Sequence, residues 1–246
     1  MKKKLCVLLA CSMLLTLLAA CGESGAGSST PPAGSSTQPT QSGGVDTPNS
    51  EKKEGGRLTI SAATPTTRAW YDIRGIMAIA MFGYIYEPLA RYGSDGSPEP
   101  FLAQSITPDA DALTWTIVLR DGIQFSDGSP CDAEAVAWNL DYYKENGVLK
   151  DSFFKFYDHA EATDGKTVVC HFTQWDSLFD YSLCRTVLIA SKKAFDEKGA
   201  EWLAQNPVGT GPFVEAEFNA DVSWIFDRND NYWQGKVLLD GVDMVY

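Results

Sequence analysis

The sequence predicts an α/β fold in which strands and helices follow one another over residues 56–246. Three observations carry this. Short stretches alternate apolar and polar residues at strand period, most clearly Thr114-Trp115-Thr116-Ile117-Val118-Leu119 and Thr167-Val168-Val169-Cys170-His171-Phe172. Between them Val136, Ala137, Leu140 and Tyr143 recur at helical spacing. The composition supports a core, since 44% of the 246 residues are apolar and 21% charged, with 12 Phe, 10 Tyr and 7 Trp.

The chain opens with an address rather than a fold element. Lys2-Lys3-Lys4 precedes an apolar run over residues 5–20 broken only by Ser12 and Thr16. This is the layout of an export signal, and it is short for a membrane span. The run ends in Leu18-Ala19-Ala20-Cys21, which resembles the lipobox of bacterial lipoproteins; that likeness implies cleavage after residue 20 and lipidation of Cys21. An ordinary secretory signal with a chance cysteine is the competing reading. Of the 29 residues 22–50, 21 are Gly, Ser, Thr or Pro and only Ala26, Ala33 and Val45 are apolar. A stretch of this kind has nothing to pack and serves as a flexible tether of roughly 30 Å. Residues 21–55 are therefore read as lipidated cysteine plus linker.

The folded part begins with a strand over residues 57–62, in which Leu58, Ile60 and Ala62 alternate. Residues 76–86 are apolar on every side, which predicts a buried helix limited by Pro88. Turn signals at residues 93–96 and 109–111 flank a short amphipathic piece around Leu102. The strand over 114–119 turns at Asp121-Gly122, extends over 123–125, and turns again at Ser126-Asp127-Gly128. Asp132 then caps a helix, Glu134 suits its first turn, and Gly147 ends it. Asp164-Gly165 leads into the strand over 167–172. Residues 192–204 have helical spacing. Gly209-Thr210-Gly211-Pro212 turns into a hairpin of strands 213–218 and 222–227, joined at Asn219-Ala220-Asp221. Val242, Met244 and Tyr246 alternate to the last residue, and a chain stopping on the third inward position of a strand is expected to be a fragment.

Charge and motif content exclude several functions. The 20 basic and 32 acidic residues give −12, and because the first twenty residues hold three lysines and no acid, the rest carries −15. Such a balance disfavours nucleic acid and a polybasic membrane face. The six cysteines show no C-x-x-C spacing, so neither a disulfide scaffold nor a zinc site is expected. With Cys21 lipidated, Cys131, Cys170 and Cys184 are an odd set, leaving at least one thiol free or paired between chains. The two histidines, His159 and His171, sit in no nucleophile or metalloprotease pattern, so catalysis has no visible carrier. Cys170 and His171 are strand neighbours on opposite faces and cannot easily share a metal; Cys170 is read as buried and His171 as surface. Gly209-Thr210-Gly211 lacks the lysine of a phosphate loop, and turn geometry accounts for it. A non-enzyme with no cofactor and no metal is expected, with an exported lipid-anchored hydrolase as the alternative of another class.

Several motifs, taken in order, resemble a known family. Tyr84-Ile85-Tyr86-Glu87-Pro88-Leu89, Leu102-Ala103-Gln104-Ser105, the run from Leu113 through Gly128, Asp132-Ala133-Glu134-Ala135-Val136, Pro207-Val208-Gly209-Thr210-Gly211-Pro212-Phe213, Arg228-Asn229-Asp230-Asn231-Tyr232-Trp233 and Leu239-Asp240-Gly241-Val242 are similar to family 5 of the bacterial extracellular solute-binding proteins, the peptide and nickel group. The resemblance covers residues 56–246. It implies a periplasmic-binding-protein-like lobe of type II with a mixed sheet, flanking helices and an extra inserted subdomain, here incomplete because the second lobe and the returning segment of the family are missing. By the same likeness residues 56–86 and 187–246 form the sheet-bearing part and 87–186 the inserted subdomain. It further implies capture of a solute, a peptide or alternatively a nickel chelate, and its delivery to an ABC permease and ATPase from the outer face of the cytoplasmic membrane.

For ligand contact the resemblance points to Arg74-Gly75-Ile76, which in oligopeptide-binding relatives offers backbone to an extended peptide. Trp70-Tyr71-Asp72 depart from the usual residues just upstream. Arg185 resembles an arginine that reaches the cleft in nickel-chelate binders, while the neighbourhood around Phe153 and Phe154 differs from theirs. A surface salt bridge is the competing role for Arg185.

Overall fold

The computed structural model describes residues 53–74 and 76–246. The export signal, Cys21, the tether and Gly75 lie outside the described residues. In chain order the first half holds β1 (Arg57–Ser61), α1 (Ile76–Phe82), β2 (Glu87–Pro88), β3 (Ala90–Tyr92), β4 (Pro98–Pro100), β5 (Ala103–Asp109), β6 (Thr114–Leu119) and α2 (Ala133–Asn146). The second half holds α3 (Lys150–Phe153), β7 (Tyr157–Ala162), β8 (Thr167–Phe172), α4 (Phe179–Leu183), β9 (Leu188–Ile189), α5 (Lys192–Lys198), α6 (Ala200–Gln205), β10 (Phe213–Asn219), β11 (Ser223–Arg228) and β12 (Gly241–Val245). The class is α/β, as the sequence predicts.

Two four-stranded sheets organise these elements. One is antiparallel throughout, in the order β5-β6-β8-β7. Alternation translates directly into burial there: Trp115, Ile117 and Leu119 of β6 and Val168, Cys170 and Phe172 of β8 face inward. Helix α2 packs over β7 and β8, burying Val136, Leu140 and Tyr143. Its start and stop are those read from sequence. The Asp132 carboxylate accepts from the Ala135 N–H at 2.9 Å, and the Gly147 N–H donates to the Tyr143 carbonyl at 2.7 Å.

The other sheet runs β1-β12-β11-β10, with β1 parallel to β12 and the remaining pairs antiparallel. Its central strands bury Trp224, Phe226, Val242 and Met244, and Phe82 of α1 meets Trp224 edge-on at 5.4 Å. Strand β1 lies at the edge. Leu58 is 46% exposed despite its alternating position, while Ile60 and Ala62 of that set are partly covered.

Four further differences from the sequence reading have physical causes. Helix α1 stops at Phe82 rather than Tyr86, because the Tyr84 and Ile85 carbonyls accept the N–H groups of Phe213 and Gly211 at 3.0 and 2.8 Å. Nor is it buried all round, since Ala80 is exposed. The helical stretch after residue 192 is two helices, broken where Gly199 takes φ 85°. The extended piece at 123–125 makes one bridge, Gln124 to Pro130. The short amphipathic piece around Leu102 lies between β4, which pairs with β3 as a hairpin, and the start of β5.

The spacing of the family-like motifs also becomes physical. Glu87 is 3% exposed and accepts from the Thr210 hydroxyl at 2.9 Å, the Tyr232 hydroxyl at 2.6 Å and the Trp233 indole N–H at 2.7 Å. Two distant segments thus converge on one carboxylate. Burial pushes the Glu87 pKa up from its usual value, with the three neutral donors opposing. Close approach, rather than turn geometry, explains Gly209 and Gly211: neither has positive φ, and a Cβ on Gly211 would stand 2.6 Å from the Ile85 and Tyr84 carbonyl oxygens.

Candidate functional site

The cavity that combines apolar walls with free charge lies where β3, α3 and α4 meet. Its volume is about 510 Å³, and Tyr92, Ser152, Phe153, Lys155, Phe156, Asp176, Leu178, Tyr181, Ser182 and Arg185 line it. Strand β3 brings Tyr92 to the rim, where it packs against Tyr181 of α4 at 6.3 Å between ring centres. Short helix α3 supplies Ser152 and Phe153, and the chain leaving it supplies Lys155 and Phe156. Leu178, just before α4, is 61% exposed, an apolar side chain that the fold itself leaves uncovered.

Two cations face this space. The Arg185 guanidinium stands over the Phe153 ring at 5.5 Å, and the Lys155 ammonium over the Phe156 ring at 5.0 Å. Among the described residues neither has a carboxylate within salt-bridge distance. A surface salt bridge is therefore not what Arg185 makes. Asp176 also lines the cavity, but one of its oxygens accepts the Leu178 N–H at 3.0 Å. Burial raises the Tyr92 phenol pKa and Arg185 pulls it partly back, so Tyr92 stays a neutral hydroxyl beside a cation. A smaller cavity of about 320 Å³ near Lys192 and Lys193 differs in its acidic lining, which includes Asp132, Glu134, Asp196 and Glu197, and Lys192 there is already paired with Glu134 at 3.6 Å and Asp196 at 2.6 Å.

The other sequence-derived candidates separate. Arg74 has a side chain 63% exposed and is held by the Asp72 carboxylate at 2.8 Å; it does not line the cavity with Arg185. Ile76 opens α1, and Gly75 and Cys21 lie outside the described residues. Just upstream, Trp70 is buried, stacked on Tyr142 of α2 at 5.3 Å and set edge-on to Phe195 of α5 at 6.3 Å, so this departure from the family pattern serves packing. Phe153 lines the cavity and Phe154 is core. Cys131, Cys170 and Cys184 are all free and buried; burial pushes the Cys184 thiol up to about 12, and it stays protonated. Among the described residues no three His, Cys, Asp or Glu side chains are gathered to hold a metal ion, and no helix is long and apolar enough to cross a membrane.

Sequence reasoning missed Tyr92, Lys155, Phe156, Asp176 and Tyr181. The signal available was the run Phe153-Phe154-Lys155-Phe156-Tyr157, too aromatic for a surface loop with no partner.

Residues 97–246 match the family model described as bacterial extracellular solute-binding proteins, family 5 Middle. The chain belongs to this family. It is similar to the nickel-binding periplasmic protein of Escherichia coli K12, 33% identical over 62% of this chain and 30% of that protein. It is similar also to the glutathione-binding protein GsiB of Escherichia coli O1:K1, 31% identical over 72% of this chain and 35% of that protein. Among solved structures, the oligopeptide-binding protein AppA of Bacillus subtilis, in complex with a nonapeptide, superposes with a TM-score of 0.71 at 20% identity over 79% of this chain and 40% of that one. That likeness shows the fold, a periplasmic-binding-protein lobe. The chain spans about a third of the length of these two curated relatives.

Proposed function

We propose that this chain captures a small carboxylate-bearing solute, a peptide first of all, as the extracytoplasmic binding component of an ABC importer. The observation that carries the reading is the aromatic cavity with Arg185 and Lys155 unpaired in a chain of net charge −12. Cations left without carboxylates in so acidic a protein suit an anionic group brought by a ligand, and the planar Arg185 fork suits a carboxylate. The names of the relatives support peptide-like solutes, since one binds glutathione and a structural neighbour carries a nonapeptide. A nickel chelate is the second reading, favoured by the first relative's name and by the same cations, which would take a chelator's carboxylates. No catalytic role is assigned to any residue.

Calorimetry on the full chain with peptides bearing a free or an amidated C-terminus tests the site. The free acid is expected to bind at least about fivefold more tightly, a difference of about 1 kcal/mol, and Arg185→Ala to erase the preference. Equal binding of acid and amide by the unmodified chain would move the carboxylate site elsewhere.

The finer assignments belong to the same proposal. Residues 1–20 act as a lipoprotein signal, Cys21 carries the lipid, and residues up to 55 hold the folded part off the outer face of the cytoplasmic membrane, where permease and ATPase receive the solute. Residues 56–86 and 187–246 form the sheet domain and 87–186 the inserted subdomain. Arg74, Gly75 and Ile76 offer backbone to the ligand. Cys21→Ser should shift the chain from the membrane to the soluble fraction, because stable anchoring takes acyl chains that the variant cannot carry. Retention of that variant in membranes would remove the lipid anchor from the reading.

A further inference from the structure

The two histidines of the chain, which the proposed function does not use, are brought together by the β7–β8 pairing. His159 and His171 are directly opposed in register, their ring planes within 12° of parallel and their centres 4.5 Å apart. The β8 side chains on the other face, Val168, Cys170 and Phe172, are buried, so the imidazoles stand on the outer face of the sheet. An irregularity between Tyr157 and His159 in β7 bends the strand where the first imidazole is presented, as bulges do when they re-aim a side chain.

We propose that His159 and His171 form a two-nitrogen clamp for a divalent transition-metal ion, separate from the cavity at Arg185. Each ring has an acidic neighbour. The Asp158 carboxylate accepts a hydrogen bond from the Nδ1–H of His159 at 2.8 Å, the tautomer that leaves the lone pair on Nε2. His171 is half-buried, and its Nε2 is itself buried without a hydrogen-bond partner, 3.8 Å from the Glu161 carboxylate, which sits two residues beyond His159 on the same side of β7. Metal–imidazole bonds of about 2.0–2.1 Å place two nitrogens on one ion at roughly 3–4 Å; the parallel stack directs the in-plane lone pairs side by side, so both rings turn out of the stack to close on the ion. Among the described residues no three such groups are gathered, so on binding the Glu161 carboxylate moves in and water fills the remaining positions. Imidazole pairs select Cu²⁺, Ni²⁺ and Zn²⁺ and leave Mg²⁺ and Ca²⁺ in solution. The buried thiols of Cys131, Cys170 and Cys184 are held protonated and do not compete.

Titration of the purified full chain with Ni²⁺ alone, in the absence of any chelator or peptide, tests the clamp. One ion per chain is expected at this site, with affinity at least about tenfold lower in His159→Gln and equally in His171→Gln, and with Cu²⁺ binding more tightly than Ni²⁺. Electron paramagnetic resonance of the Cu²⁺ form should show two equatorial nitrogens in the unmodified chain and one in each variant. His159 is exposed and His171 half-buried, and unchanged thermal unfolding without metal checks that both variants keep the fold. Absence of binding by the unmodified chain, equal binding by the variants, or a copper spectrum that either variant leaves unchanged would overturn the clamp and leave the stacked rings as packing. Arg185→Ala should leave this binding unchanged; loss of Ni²⁺ binding in that variant would place the ion in the cavity instead and overturn the proposal.

Discussion

The two four-stranded sheets contain the same sequence pattern and bury it differently. In the β5-β6-β8-β7 sheet, inner strands β6 and β8 bury every second residue beneath the sheet's own helix layer. In the β1-β12-β11-β10 sheet, β12 and β11 are comparably buried while β1, at the edge, exposes all but Ile60. Alternation therefore reports that a strand forms, and cover by a neighbouring layer decides what its inward face is worth. Where apolar cover is lacking, polar clamps appear. Arg57 on β1 donates to Asp227 at 2.7 Å, to Asp243 at 2.7 Å and to the Phe226 carbonyl at 2.9 Å, tying the edge strand to β12 beside it and to β11 beyond.

The largest expected effect tests this contrast directly. Ile117 and Leu58 occupy equivalent alternating positions, yet Ile117 is fully buried and Leu58 is not. Ile117→Ala should lower unfolding free energy by about 2–5 kcal/mol through lost burial and a residual cavity, and Leu58→Ala by under about 0.5 kcal/mol. Urea unfolding followed by tryptophan fluorescence and far-ultraviolet dichroism measures both. Similar losses would mean that β1 is covered in solution by something the contrast leaves out.

A smaller effect lies between the sheets, at Glu87. Gln at this position keeps an acceptor for Thr210 and Trp233, but its amide must face the Tyr232 hydroxyl, which then has to reverse its role; the expected cost is about 1 kcal/mol. The pH dependence is the sharper readout. Because burial raises the folded-state pKa above the unfolded one, the folded chain holds the proton more tightly. The contribution of Glu87 is then fully present below the ordinary carboxylate pKa and declines as pH rises through the raised value. Stability of the unmodified chain should fall relative to Glu87→Gln between about pH 4.3 and the folded-state value, with the difference levelling off above it. Denaturant midpoints at a series of pH values check the sign, and an opposite slope would show the three donors outweighing burial.

What the sequence disclosed follows the same division. Strands β6 and β8 and helix α2 were legible because each has one buried face and local stop signals, Asp132 and Gly147 among them. The end of α1 was not, because Tyr84 and Ile85 continue an apolar run and only their carbonyls' pairing with Gly211 and Phe213 stops the helix. Gly199 looks permissible inside a helical spacing until its φ of 85° is seen. At the candidate site Arg185 was reachable by family likeness alone. Tyr92, Lys155 and Tyr181 converge from separate segments, and no periodicity links them. Glu87 was visible as part of a motif, but its burial depends on donors more than a hundred residues away.

The smallest expected effect concerns the polar clamp itself. The Asp227 and Asp243 contacts raise the Arg57 pKa, so the cation persists at every pH at which the chain folds, and ionic strength is the variable that weakens it. Its side chain is 34% exposed, which places the pair energies in the range of surface ion pairs, about 0.2–1 kcal/mol for Arg57→Ala. Screening should shrink that loss as salt rises from 0.05 to about 1 M, where the Debye length drops to about 3 Å. The buried-face penalty of Ile117→Ala has no such sensitivity, so a double comparison of both variants at two salt concentrations separates the two ways of holding a strand. A salt-independent Arg57→Ala loss would show that the clamp acts through the Phe226 carbonyl bond and side-chain packing, rather than through charge.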